Sequence, residues 1–136
     1  MKKVVIIDGQ GGRIGSLLIA ALRERNIDAE ITAVGTNSIA TANMLKASPD
    51  AAATGENPVV VACRSADVIA GPIGIVVADS LLGEVTSKMA EAVGQSSAHR
   101  VLIPVNRCET IVVGVSSLSL GELITEAAAK IEESLK

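Results

Sequence analysis

Short runs of β-branched residues alternate along this chain with amphipathic segments, and that alternation constrains the fold more than any other feature. It is typical of a mainly parallel sheet with helices on both faces, and it predicts a Rossmann-like, three-layer α/β/α fold of class α/β. We expect one nucleotide-binding domain over residues 1–136, with strands in the order 3-2-1-4-5-6. The predicted strands are residues 3–8, 29–34, 51–54, 67–71, 100–105 and 110–115. The predicted helices are residues 13–25, 38–47, 58–65, 73–82, 85–94 and 119–135.

Two helices carry additional local signals. Asn57 followed by Pro58 predicts an N-cap and a first helical residue, although the valines that follow are also compatible with a short strand. The last helix has apolar residues at helical spacing, which predicts that one of its faces is buried. These residues are Leu120, Leu123, Ile124, Ala127, Ala128, Ile131 and Leu135.

The composition narrows the class of protein. Hydrophobic residues make up 49% of the chain without any Phe, Trp or Tyr, so the core must be built from aliphatic side chains and Met, as suits a parallel sheet buried on both faces. The net charge of −3, the missing aromatic residues and the absence of a basic stripe argue against nucleic-acid binding. One His and two separated cysteines, Cys63 and Cys108, do not form a metal-binding motif.

The sequence also argues against a membrane or exported protein. The start "MKKVVIIDG" has too few apolar residues before Asp8 for a signal-peptide core. The apolar run "VIAGPIGIVVA" contains Pro72 and is shorter than a membrane span. We therefore expect a cytoplasmic protein, in which a structural disulfide is not expected.

The glycine loop, residues 8–15 with the sequence "DGQGGRIG", follows the first predicted strand. Its spacing is GxxGxxG, and glycine lets the backbone approach a diphosphate while amides at the following helix start supply hydrogen-bond donors. A Val at position 12 is then expected to block binding and leave the fold intact. The alternative is a tight strand-to-helix turn without a ligand. The predicted phosphate-binding residues are Asp8, Gly9, Gln10, Gly11, Gly12, Arg13 and Ile14.

The ends of the other predicted strands extend this site. Ligands of doubly wound sheets bind beyond the carboxyl ends of the strands, where neighbouring connections leave in opposite directions. The segments at those ends are rich in Gly and small polar residues, whereas the segments that enter the strands are ordinary charged turns. Asn37 or Ser38 alternatively caps the helix that begins there. The added site residues are Gly35, Thr36, Asn37, Gly71, Pro72, Ile73 and Gly74.

The stretch "VVIIDGQGGRIGSLLIAAL" resembles the opening of extended short-chain dehydrogenases and the "GxGGRMG" opening of dihydrodipicolinate reductases. Both families bind nicotinamide dinucleotides in this loop, so the resemblance, which covers residues 3–22, implies NADP or NAD as cofactor. Over its whole length, with "GTNSIAT", "ATGEN" and "LIPVNRC", the chain resembles a small bacterial family described as a domain of unknown function. That second resemblance implies no activity.

The end of the second strand departs from an NAD site. Such a site has an Asp or Glu there to hold the ribose hydroxyls, whereas this chain has Gly35, Thr36, Asn37 and Ser38. Hydroxyls and an amide without a carboxylate tolerate a 2′-phosphate, which favours NADP over NAD. The stretch has no Arg that would pair with that phosphate.

Residues after the fifth strand are the first candidates for chemistry. Asn106, Arg107 and Cys108 are a possible substrate or anion site, with Cys108 either a reactive thiol or a small packing residue. His99 precedes that strand, so a Cys–His dyad within one subunit is not expected. The other acid–base candidates, which solvated helix-face charges explain equally well, are Asp79, Glu84 and Lys88.

Three functions stay open at this point. The first is a nucleotide sensor or regulatory subunit that acts with a partner protein. The second is a small oxidoreductase or other enzyme that uses Cys108, Arg107 or Asp79, and the third is a structural subunit without a ligand. The apolar residues 73–82 exceed what one helix face buries and predict a homodimer interface, unless the next helix encloses them.

Overall fold

The computed structural model describes residues 1–105, 110–115 and 117–136. Its sheet is built from parallel strands in the order β3-β2-β1-β4-β5, which confirms the predicted α/β class and the predicted order of these five strands. The fold is Rossmann-like, with β1 at the centre between β2 and β4. The strands are β1 (Lys3–Asp8), β2 (Glu30–Gly35), β3 (Ala51–Thr54), β4 (Val68–Pro72) and β5 (His99–Ile103).

Helices cover both faces of the sheet and create two apolar cores. One core packs Val4 and Ile6 of β1 against the first, second and last helices, and the other packs Val5 and Ile7 against the third and fourth. Successive side chains of a strand point to opposite faces, so a strand buried on both faces is a continuous apolar run. The helices are α1 (Arg13–Glu24), α2 (Ser38–Leu45), α3 (Glu56–Ser65), α4 (Ser87–Gln95) and α5 (Leu120–Ser134).

The predicted face of the last helix is confirmed. Ile124, Ala127, Ala128 and Ile131 of α5 are buried against the sheet. The helix begins at a capping box, in which the Ser119 hydroxyl accepts from the Glu122 amide and the Glu122 carboxylate accepts from the Ser119 amide. None of the helices in the described ranges is long and apolar enough to cross a bilayer.

The sixth strand predicted at residues 110–115 is wrong. These residues form no strand, and the chain turns at Val113 and Gly114, where Gly114 has a φ of 88°. The side chains of Ile111 and Val113 are 89% and 94% exposed. A β-branched run indicates a strand only where a face of it is buried, and that condition fails here.

The helix predicted at residues 73–82 is also wrong beyond its first turn. A 3₁₀-helix covers Ile73–Val76 and gives way to a compact turn at residues 79–84, named here the 79–84 turn. In it Asp79, Leu81 and Leu82 have φ values of 67°, 56° and 57°, in the left-handed region that a right-handed helix cannot include.

The third helix starts earlier than predicted. It begins at Glu56 with Gly55 as the N-cap residue, so Asn57 is not the cap and Pro58 is the third helical residue. Proline is tolerated there because the amides of a first helical turn have no partner within the helix. The alternative of a short strand in this segment is wrong.

Candidate functional site

The glycine loop and the end of β4 meet at the topological switch point of the sheet. β1 continues into α1 on one face, while β4, its neighbour, continues towards α4 on the other. A cavity of about 210 Å³ lies between them. The structure thus brings together residues 8–14 and Pro72, as the strand ends predicted, and the cavity is completed by Leu81, Val105 and Leu120.

The side chain of Asp8 holds the backbone of the glycine loop in place. Its carboxylate is buried and accepts hydrogen bonds from the main-chain amides of Gly9, at 2.8 Å, and Gly15, at 2.7 Å. The amide of Gly15, in the first turn of α1, is therefore already engaged. The Gly12 amide also donates to the Gly9 carbonyl, at 2.9 Å, and the Ile14 amide contributes a hydrogen bond to Asp8. Within residues 11–14, a ligand phosphate would therefore have to bind at the amides of Gly11 and Arg13.

The chain itself fills the space above most glycines of this loop. A Cβ at Gly9 would lie 2.5 Å from Thr36 Oγ1, and a Cβ at Gly12 would lie 2.6 Å from the carbonyl oxygen of Ala40. A Cβ at Gly15 would overlap Met44. By contrast, a Cβ at Gly11 would meet nothing within 4 Å, so Gly11 is the glycine of this loop that leaves open space for a ligand.

At two other glycines predicted to admit a ligand, the protein itself also occupies the space that a side chain would take. A Cβ at Gly35 would overlap Thr41, and a Cβ at Gly71 would overlap the main chain of Ile7 in the neighbouring strand. Gly74 is buried in the 3₁₀-helix, and its carbonyl accepts a hydrogen bond from Ser80. These glycines, together with Thr36, Asn37 and Ile73, do not line the cavity.

Asn37 caps α2, which confirms the alternative left open by the sequence. Its side-chain oxygen accepts from the amide of Ala40 at 2.9 Å. Its side-chain nitrogen donates to the carbonyl of Gln10 at 3.0 Å and to Glu84 Oε1 at 2.7 Å. The residue therefore joins the end of β2 to the glycine loop and to the 79–84 turn.

Glu84 is the residue whose position sequence reasoning missed. Its Oε1 accepts hydrogen bonds from the Gln10 amide at 2.8 Å, from Thr36 Oγ1 at 2.7 Å and from Asn37 Nδ2 at 2.7 Å. Partial burial acts to raise the pKa of Glu84, but these hydrogen bonds together outweigh it and hold the pKa below its ordinary value. A carboxylate thus lies at the end of β2, although no acidic residue occurs there in the sequence.

Two ionisable side chains, those of Asp8 and Arg13, line the cavity. Burial raises the pKa of Asp8, opposed by the amide hydrogen bonds from Gly15 and Gly9 and reinforced by the charge of Glu84. Arg13, the first residue of α1, is exposed and lines the cavity. Leu120 begins α5, so the positive ends of two helix dipoles border the same space.

The raised pKa of Asp8 predicts a pH dependence of stability. In the unfolded chain the carboxyl group of Asp8 loses its proton near its ordinary pKa of 3.8, whereas in the folded protein it keeps the proton to a higher pH. The free energy of unfolding therefore decreases as the pH rises from the unfolded pKa through the folded pKa. We expect the stability of the wild type relative to Asp8→Asn to decrease from pH 4 to pH 7. Urea unfolding followed by circular dichroism measures it, and a difference that is constant or grows with pH contradicts the assignment.

The remaining candidates lie away from this cavity. Asp79 and Lys88 are exposed on the 79–84 turn and on α4, and neither lines it. Cys63 is buried, and burial raises the pKa of its thiol to about 11, which makes it unreactive. Asn106, Arg107 and Cys108 lie outside the described residues. Within the described ranges, no three His, Cys, Asp or Glu side chains form a metal-binding cluster.

A larger cavity, of about 830 Å³, lies at the opposite, amino ends of the strands. None of the predicted site residues lines it. Ligands of open α/β sheets bind at the carboxyl ends, so we assign the candidate site to the smaller cavity. The larger one is bounded by Met1, Lys2, Asn26, Ile27, Asp28, Asp67, Glu132, Leu135 and Lys136.

The fold and the position of this cavity define a Rossmann-like α/β protein with a candidate site at its switch point. The chain belongs to the family described as a domain of unknown function (DUF3842), whose sequence model matches residues 3–136, and this confirms the full-length resemblance. No curated protein matches the chain significantly. Among solved structures it is similar to a dodecameric FMN-dependent UbiX-like decarboxylase from Escherichia coli O157:H7, with a TM-score of 0.47 and 16% identity over 99% of this chain and 94% of that chain.

Proposed function

We propose that the protein binds a nucleotide at the switch point, with a phosphate group against residues 11–14. The observation that carries this proposal is the cavity itself, which combines open space above Gly11, the cation of Arg13 and the amino end of α1. Exposed main-chain amides at a helix start and a positive helix end favour an anion. We propose a nicotinamide dinucleotide as the ligand because the loop resembles those of dinucleotide-binding families.

The size of the cavity limits what it holds. At about 210 Å³ it is smaller than the roughly 300–1,000 Å³ of pockets that enclose drug-sized ligands. The cavity therefore holds the phosphate-bearing part of the ligand, and the remainder extends along the strand ends.

We propose the role of a sensor or regulatory subunit that acts with a partner protein. Asp8 supports binding rather than catalysis, because both of its oxygens accept main-chain hydrogen bonds and so organise the loop. The enzyme alternative uses Cys108, Arg107 or Asp79. Cys108 and Arg107 lie outside the described ranges, and Asp79 is exposed and does not line the cavity.

Nucleotide binding is expected to raise the melting temperature. A screen of NAD, NADP, FAD, ATP, GTP and coenzyme A should find a ligand that stabilises the fold, by about 2.7 kcal/mol when its concentration is 100 times Kd. The chain has no Trp or Tyr, so calorimetry or circular dichroism is the readout. No shift with any of these ligands, and no ligand released on denaturation of the purified protein, would overturn the proposal.

The same screen locates the phosphate with two matched variants. Gly11→Val places a branched side chain in the open part of the loop and should weaken binding by at least about tenfold, a loss of about 1.4 kcal/mol. Gly94→Val adds the same side chain on α4, where a Cβ also meets nothing within 4 Å, and should leave binding unchanged. Equal affinities of the two variants would place the ligand elsewhere.

A further inference from the structure

The carboxylate that the sequence lacks at the end of β2 is supplied in the structure by the connection between β4 and α4. On the basis of the proposed nucleotide function, we infer that Glu84 is the ribose-binding residue of this site and that it selects NAD over NADP. Glu84 does not itself line the cavity. It lies beside the cavity, within hydrogen-bonding distance of Thr36 and Asn37, directly after β2, and of the Gln10 amide. This is the place where dinucleotide sites hold ribose hydroxyls with an acidic side chain.

One oxygen of Glu84 holds the side chain, and the other is the one with which a ligand would form its hydrogen bonds. All of its described hydrogen bonds reach Oε1, from donors on two separate segments of the chain. Glu84 is half-buried, and none of the hydrogen bonds described within residues 1–105, 110–115 and 117–136 reaches its Oε2. An ionised carboxylate only accepts hydrogen bonds, and ribose hydroxyls can donate them.

The 79–84 turn fixes the direction of this carboxylate. Its ends are joined by hydrogen bonds from the Asp79 amide to the Val85 carbonyl, at 2.7 Å, and from the Val85 amide to the Ser80 carbonyl, at 3.2 Å. Leu81 and Val85, on either side of Glu84, are buried in the core. Left-handed backbone at a residue such as Leu81 is unfavourable and persists only where its surroundings hold it. Glu84 is therefore positioned before any ligand arrives.

The charge of Glu84 then determines which dinucleotide fits. A carboxylate attracts the 2′-hydroxyl of NAD and repels the 2′-phosphate of NADP. The preference for NADP expected from the sequence assumed that no acid lies at the end of β2. Glu84 reverses that preference.

The test compares NAD, NADP and inorganic pyrophosphate by isothermal titration calorimetry on the wild type, Glu84→Gln and the control Glu91→Gln. Glutamine at position 84 can keep the three donors on its carbonyl oxygen and removes the charge. We expect the wild type to bind NAD at least about tenfold more tightly than NADP, and Glu84→Gln to weaken NAD by about tenfold, the loss of one hydrogen bond to a charged group. Its affinity for pyrophosphate should change by no more than about threefold. Glu91, exposed on α4, should have no effect.

Each other outcome overturns the inference in a recognisable way. If Glu84→Gln tightens all three probes alike, Glu84 occupies a phosphate position that ligands displace. If both dinucleotides bind and Glu84→Gln has the same ratio of NAD to NADP affinity as the wild type, the nucleotide site is supported and the role of Glu84 is contradicted. If only pyrophosphate binds, the phosphate site is supported and the role of Glu84 is again contradicted. If no probe binds to the wild type or to a Glu84→Gln protein with a native circular dichroism spectrum, the proposed function itself fails.

Discussion

Gly12→Val is expected to lower the free energy of unfolding by about 2–5 kcal/mol. Gly12 has a φ of 70°, where an L side chain costs roughly 1–2 kcal/mol. A Cβ there would also lie 2.6 Å from the carbonyl oxygen and 2.9 Å from the Cα of Ala40, which belong to the backbone of α2 and cannot rotate away. Overpacking of this kind costs about 1–3 kcal/mol more. Urea unfolding followed by circular dichroism measures the loss.

Gly11→Val is the matched control for that experiment. It places the same side chain one residue earlier, where a Cβ meets nothing within 4 Å, and its stability should stay within about 1 kcal/mol of the wild type. A Gly12→Val protein as stable as this control would show that α1 and α2 separate at little cost. The structure therefore argues against the expectation that Gly12→Val leaves the fold intact and changes only binding.

The elements that the sequence predicted well are those whose signals are local. β1 is a continuous apolar run because both of its faces are buried, and α5 shows its buried face as helical spacing. The helix predicted at residues 73–82 and the strand predicted at residues 110–115 were wrong because the conformation of these segments depends on contacts distant in sequence. Leu81 and Leu82 adopt a left-handed backbone conformation that propensity scales do not predict. The side chain of Ile111 is exposed, so its β-branched shape does not stabilise a strand there.

The candidate site was predictable in its location but not in its chemistry. Parallel strands bring their carboxyl ends to one edge, so the order of the strands alone placed the glycine loop beside Pro72. A glycine pattern, however, does not say whether a ligand or the chain itself occupies the space that the missing side chain leaves. At Gly9 and Gly12 that space is filled by Thr36 and Ala40. Glu84 reaches the site because the chain forms the 79–84 turn, where the sequence predicted a helix up to residue 82.

The apolar segment expected to form a homodimer interface is largely buried. Ile75, Leu81 and Val85 pack in the core with Met89 of α4, as in the alternative that the next helix encloses them. Leu82 is different, because its side chain is 95% exposed beside this core. The homodimer stays a prediction, and Leu82 is the residue of the segment at which a contact is to be tested.

Leu81→Lys is expected to lower the free energy of unfolding by about 2–5 kcal/mol, the cost of removing a buried leucine side chain from the core. Leu81 is 7% exposed, and its Cδ1 would lie 2.8 Å from a Cβ at Gly9, so the ammonium group would face the floor of the glycine loop. Leu82→Lys, one residue later, should change stability by no more than about 0.5 kcal/mol because its side chain is already in water. Circular dichroism during urea unfolding measures both, and a Leu81→Lys protein as stable as Leu82→Lys would contradict this packing. Sedimentation of the wild type and of the folded Leu82→Lys protein then tests the homodimer, which requires a dimeric wild type and a weakened dimer in the variant.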